Sequence, residues 1–128
     1  MKSLTSAHIP DSKFNVPSQW QWHWRTLLRL RERLLQQTHE HFAAAATLQK
    51  ADDPDFASLA SEEHEFQSLV SEVKSEENLL GEVEAALERI RRGTYGMCLA
   101  TCQPISPVRL RAVPWTRFTQ EAAADRER

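Results

Sequence analysis

The chain has 128 residues, a formal net charge of −2 from 16 Lys and Arg against 18 Asp and Glu, and 3 glycines. That length suits one domain, or one domain with a small appendage, and the near-neutral charge excludes a protein that holds DNA simply as a polycation. No apolar run approaches the roughly 20 residues of a bilayer-spanning helix, so no membrane partner is expected. Cys98 and Cys102 are the two cysteines. Their close spacing argues against a structural disulfide and for a reducing compartment. The opening MKSLTSAHIPDSKF has no hydrophobic signal core, which makes the cytoplasm the expected location.

Residues 1–17 carry Pro10 and Pro17, show no periodicity, and are expected to form a flexible arm that docks at most Ile9, Phe14 or Val16. A helix is expected from Ser18, which stands at capping-box spacing from Gln21, to about Lys50. Trp20, Trp24, Leu27, Leu30, Leu34, Phe42 and Ala45 recur at steps of three, four or eight and so fall near one face, with Trp22 off it. Packing of the Trp20, Trp22 and Trp24 cluster against the C-terminal unit is expected rather than a partner surface. Asp53 before Pro54 reads as an N-cap with proline at the first helical position, so a tight acidic turn falls at about residues 51–57.

The second helix has the cleaner repeat. Leu59, Phe66, Val73, Leu80 and Leu87 are seven apart, Leu69, Val83 and Ile90 fill the complementary position, and Glu62 and Glu76 interrupt it. Gly93 ends the helix after Arg91 and Arg92. Arg25, Arg29, Arg31 and Arg33 on the first helix face a glutamate-rich second helix, which suits an antiparallel pair. At 1.5 Å per residue each helix is roughly 50 Å long.

Residues 94–118 read as a compact irregular unit, because Pro104, Pro107 and Pro114 exclude a continuous helix. Tyr95, Ile105, Val108, Leu110, Trp115 and Phe118 are its candidate core, and Thr119–Arg128 is a candidate short helix. The expected fold is therefore all-α. It comprises a long antiparallel coiled-coil hairpin over 18–92 and a small cap over 93–128. His8, His23, His39, His41 and His64 are scattered and expected to be solvated. His39-Glu40 opens no H-E-x-x-H zinc motif, since position 43 is Ala. No enzyme activity and no cofactor are expected.

The string ALERIRRGTYGMC, followed by Ile105, Arg109-Leu110, Ala112 and Pro114, resembles the DksA/TraR family of RNA-polymerase-binding transcription regulators. In that family a helix ends in R-I-x-x-G-x-Y-G-x-C, and a short zinc finger with I-x-x-x-R-L-x-A-x-P follows. The resemblance covers most of residues 18–122. It implies a monomer whose coiled coil enters the secondary channel of RNA polymerase and modulates initiation, without sequence-specific DNA contacts of its own. The family's tip motif, Asp-x-x-Asp-x-Ala, falls on Asp55, Ser58 and Ala60, with Asp52 and Asp53 adding carboxylates nearby. Arg91 and Arg109 are the cap and rim candidates. Two positions where the family carries basic residues for the alarmone ppGpp hold Glu82 and Val113.

The family's four zinc-ligand positions fall on Cys98, Thr101, Thr119 and Ala122, with Cys102 where glycine is usual. Tetrahedral zinc takes four thiolate, imidazole or carboxylate donors, so a zinc-finger-like cap lacking zinc is expected, with Trp115 and Phe118 filling its core. The alternative from the repeats alone is a non-enzymatic hairpin adaptor, or a self-associating structural protein, that does not bind polymerase.

Overall fold

The computed structural model of the chain describes residues 14–49 and 56–127, with side chains of the second stretch described from Ala60 onward. A 3-10 turn, Ser18–Trp20, leads into α1, Gln21–Gln49. The second long helix, α2, is Phe56–Arg92, and two short helices follow, α3 at Pro107–Ala112 and α4 at Gln120–Arg126. The described residues are thus mostly helical, with a single isolated antiparallel bridge between Met97 and Pro104. No helix among them is long and apolar enough to cross a membrane.

α2 follows its heptads. Val83, Leu87 and Ile90 are at most 1% exposed, and Phe66, Leu69, Val73 and Leu80 are half-buried. α1 departs from the expected stripe. Trp24, Leu27 and Leu34 are buried as expected, but Phe42 is 64% exposed. The half-buried positions beyond Leu34 are Thr38, His41, Ala46 and Leu48, together with the expected Ala45. The step of eight from Leu34 to Phe42 passed over two true seam positions because both hold polar residues.

Those residues meet the glutamate that interrupts the α2 repeat. His41 Nδ1 lies 2.9 Å from one Glu76 carboxylate oxygen, and the Thr38 hydroxyl donates to the other at 3.4 Å. Nearer the base, Arg31 Nε pairs with Glu84 at 3.1 Å, the one ion pair with Glu among the four α1 arginines expected to face the glutamates.

The helix start also differs. α1 begins at Gln21, and Ser18 opens the preceding turn without a side-chain capping bond. Phe14 and Val16 pack on the core, with the Phe14 ring 5.5 Å from that of Trp24. At the far end of α2, Gly93 at φ +80° lets Thr94 N–H bond back to Arg89 O at 2.9 Å, a left-handed helix stop.

Burial is uneven along the hairpin. Outward of Leu34 on α1 and of Val83 on α2, no described residue is buried. Two helices cover each other on one side only, and full burial appears where the arm and cap add a third layer. Leu87→Ala in that layer should therefore cost about 2–5 kcal/mol, read as a lower urea midpoint. Loss of under about 1 kcal/mol would show that the base is not the cooperative core.

Candidate functional site

The cap is built by hydrogen bonds to its own loop carbonyls. Tyr95 Oη donates to Pro114 O at 2.7 Å, and Arg89 from α2, itself buried, donates to Trp115 O and Thr116 O at 3.3 and 3.2 Å. Arg109 donates from Nε to Phe118 O at 2.8 Å and from Nη2 to the Thr116 hydroxyl at 3.3 Å. Arg109 thus braces the cap internally, and the tie to the coil falls to Arg89 and to the Arg117–Glu82 pair at 2.6 Å. Val113 is the C-cap of α3. Arg91 pairs with Glu88 at 3.1 Å and lies over the Phe14 ring.

The reading of 94–118 as wholly irregular needs correction. Pro107 starts α3, with the Ser106 hydroxyl accepting from Arg109 N. Proline at the first position of a helix has no N–H to lose and a φ already suited to it. Ile105, Leu110 and Tyr95 are buried and Trp115 and Phe118 pack against them, but Val108 is 79% exposed on the outer face of α3.

The joint between α1 and the cap is aromatic. Trp20 stands edge-on to Tyr95 with centroids 4.8 Å apart. Gly96, at φ +91°, makes room for it, since a Cβ there would lie 3.0 Å from the Trp20 ring. Trp22 carries the Arg111 guanidinium 4.2 Å from its ring. His23, expected to be solvated, is 7% exposed instead. Its ring sits 5.1 Å from Trp20, 5.0 Å from Trp22 and 5.7 Å from Tyr95, and its Nδ1 has no partner among the described residues. The signal was present: Trp20, His23, Leu27, Leu30 and Leu34 form an unbroken three-four alternation. His41, likewise, is not free but paired with Glu76.

The four positions implied as zinc ligands do come together. Cys98 is 1% exposed, the Thr119 hydroxyl points at its Sγ from 3.9 Å, and Ala122 is 6% exposed in the same core. Thr119 also caps α4, accepting from Ala122 N at 3.2 Å. Burial pushes the Cys98 thiol up. Hydrogen bonds from the Thr101 side chain and from backbone groups of Thr119, Thr101 and Ala100 outweigh that and bring it down to about 6. Cys102 is exposed and holds a left-handed φ of 61°, the conformation that favours glycine. One buried thiol, two hydroxyls and a methyl do not make a zinc site. Among the described residues no group of three or more His, Cys, Asp or Glu is placed to hold a metal ion. The cap closes by hydrogen bonding and packing instead.

Of the tip candidates, Ala60 is exposed on α2. Asp52, Asp53 and Asp55, with the expected Asp53-Pro54 cap and most of the turn, lie outside the described residues, as does the side chain of Ser58.

A helical hairpin capped at its base by a small unit without a zinc-ligand set among the described residues defines the structural class. No protein-family model matches the chain. The structure is similar to that of transcription factor DksA2 from Pseudomonas aeruginosa, with a TM-score of 0.78 and 31% identity, covering 93% of this chain and 91% of that one. The RNA polymerase-binding transcription factor DksA of Caulobacter vibrioides is 29% identical over 120 residues, 92% of this chain and 82% of that protein. General stress protein 16O of Bacillus subtilis is 51% identical over 45 residues, 35% of this chain. The chain spans less than a third of the length of the first two curated relatives it matches. The chain belongs to the DksA/TraR family.

Two measurements follow from the site. Protein purified without chelator should contain no stoichiometric zinc, and EDTA should leave its melting unchanged. One zinc per chain, lost together with the fold, would overturn the packed-cap account.

The second concerns acid. Burial and then Arg111 hold His23 below its ordinary 6.5, so the unfolded chain takes up that proton first. The stability contributed by neutral His23 is full above 6.5 and is lost as pH falls through 6.5 towards the folded value. His41 acts oppositely. Its hydrogen bond to Glu76 raises it, so its contribution is full below 6.5 and is lost as pH rises through the raised value. His23→Phe, which keeps a ring and removes the titration, should gain melting temperature relative to wild type between about pH 7 and pH 5. Parallel profiles would remove His23 as the acid-sensitive group.

Proposed function

We propose that the protein is a cytoplasmic transcription regulator that binds bacterial RNA polymerase as a monomer. Its hairpin enters the secondary channel, and the acidic tip around Asp55, with Ser58 and Ala60, modulates initiation. The observation that carries this reading is the likeness to DksA2 along nearly the whole chain, hairpin and cap together. Geometry adds support. α2 has 37 residues, roughly 55 Å at 1.5 Å per residue, long enough to reach a recessed site from a surface-docked base. Base and cap would dock at the rim, where Arg91 and the α3 surface are available, and no direct reading of DNA sequence is involved. Carboxylates at the tip would offer oxygen ligands or acceptors near a metal-centred site.

In vitro transcription with purified polymerase tests this, using wild type, Asp55→Asn and Ala60→Thr. The expected outcome is that all three bind and that the tip variants lose most of the effect on open complexes. If wild type neither binds nor changes transcript yield, the hairpin-adaptor reading takes its place. If Asp55→Asn acts like wild type, Asp55 is a helix cap and no more.

A further inference from the structure

Away from the base, the hairpin carries an apolar groove that its own helices leave open. Phe42, Ala45 and Ala46 of α1 and Phe66, Val70 and Val73 of α2 line a volume of about 180 Å³. Phe42 is 64% exposed and Val70 43%. The Phe42 ring is also a wall of a second, more open depression beside Leu35, Thr38 and Ala43. Neither Phe42 nor Val70 occupies a seam position: that work falls to residues 38, 41 and 45 on α1 and 66, 69 and 73 on α2. Two large apolar side chains thus stand where hairpin packing gains little from them, and contiguous exposed apolar surface marks sites of association.

The surroundings are acidic. On the outer half of the hairpin Glu40, Glu62, Glu63, Glu65, Glu72 and Glu77 stand against one Lys or Arg among the described residues, Lys74. Glu40 and Glu63 accept from Gln36 and Gln67, and none of the six forms an ion pair with Lys or Arg among the described residues. A second copy laid groove to groove would bring two acidic rims together, which costs energy.

We propose that this groove is a docking site for a basic amphipathic helix of a partner protein. One bulky apolar residue of that helix seats between Phe42 and Val70, and its Lys and Arg turn to the surrounding glutamates. Helix-in-groove recognition uses apolar anchors at helical spacing in this way. The proposal goes beyond the polymerase reading and does not depend on it.

The test is an NMR titration of the labelled full chain with a synthetic helix of about 18 residues, Leu on one face and Lys elsewhere, and with its Glu-for-Lys counterpart. The lysine helix should give saturable shifts at the amides of Ala45, Ala46, Val70 and Val73, and the glutamate helix none. Phe42→Ser and Val70→Ser, both exposed, should keep wild-type helicity and weaken binding about tenfold or more. Glu65→Lys with Glu72→Lys, which leaves the groove walls intact, should weaken it as well. Equal binding of the glutamate helix overturns the proposal. So does unchanged affinity in both serine variants, or in the double lysine variant. A wild-type dimer by sedimentation that Phe42→Ser returns to monomer would make a second copy the occupant and overturn it too.

Discussion

The constraint on which this structure depends is the one-sided burial available to a pair of helices. α1 and α2 can cover only the seam between them, so each seam residue beyond Leu34 and Val83 stays half in water. Close packing comes where a third layer is laid on, and here that layer is the arm from Phe14 and the cap from Tyr95 onward. Phe14 of the arm packs on Trp24, while Trp20 is the aromatic joint between the start of α1 and the cap. It edges onto Tyr95, rests over Gly96 and flanks His23. Leu27, Leu87 and Ile90 are fully enclosed because this layer closes over them.

The cap in turn must hold its shape without a metal. A zinc finger uses four metal bonds to fix two loops against each other. In this chain the same positions hold one thiol, two hydroxyls and a methyl, and the loops are fixed by donors aimed at carbonyls. Arg109 and Arg89 each bind the 115–118 segment at two points, Tyr95 binds Pro114, and Thr119 both caps α4 and donates to the Cys98 sulfur. Each such bond is worth only about 1 kcal/mol net, so several are needed, and they work because the carbonyls they satisfy are removed from water. Cys98 is then a buried small residue, its thiol lowered by its neighbours yet shielded from solvent.

How much of this was legible in the sequence varied with how strongly each residue type reports its position. α2 was readable because Leu, Val and Ile mark a seam without ambiguity. On α1 the expected Ala45 does lie at the seam, but between Leu34 and Ala45 the seam was hidden because it continues through Thr38 and His41. An apolar-only search therefore jumped to Phe42, which faces outward. His23 was misplaced for the same reason, since a polar letter hid an otherwise regular alternation. α3 was missed because proline was taken as a breaker at the one position where it starts a helix, and Val108 was consequently counted into a core that it faces away from. Cys98, Thr101, Thr119 and Ala122 lie together in the cap, joined by the contacts of the Thr119 and Thr101 hydroxyls with the Cys98 sulfur and of Thr119 with Ala122.

The polar station at Thr38, His41 and Glu76 bears on why the hairpin has one register. Seams of leucine and valine repeated every seven residues are nearly as well satisfied after sliding one heptad. In the antiparallel pairing observed, Glu76 lies by His41, so a slip of seven would carry the Glu76 carboxylate towards Leu34 or Leu48. A half-buried carboxylate moved away from its partners and set against leucine is left partly desolvated and unpaired, a cost that a shifted leucine does not carry. An apolar trio there would pack more tightly, but it would remove the part of the register penalty that the polar station supplies. The outer half thus gives up some stability to gain a fixed alignment, and the fully buried base supplies what it gives up. With its register fixed and its seam only half-buried, the outer half can carry exposed groups such as Phe42, Val70 and the glutamates. None of these is needed to hold the helices together.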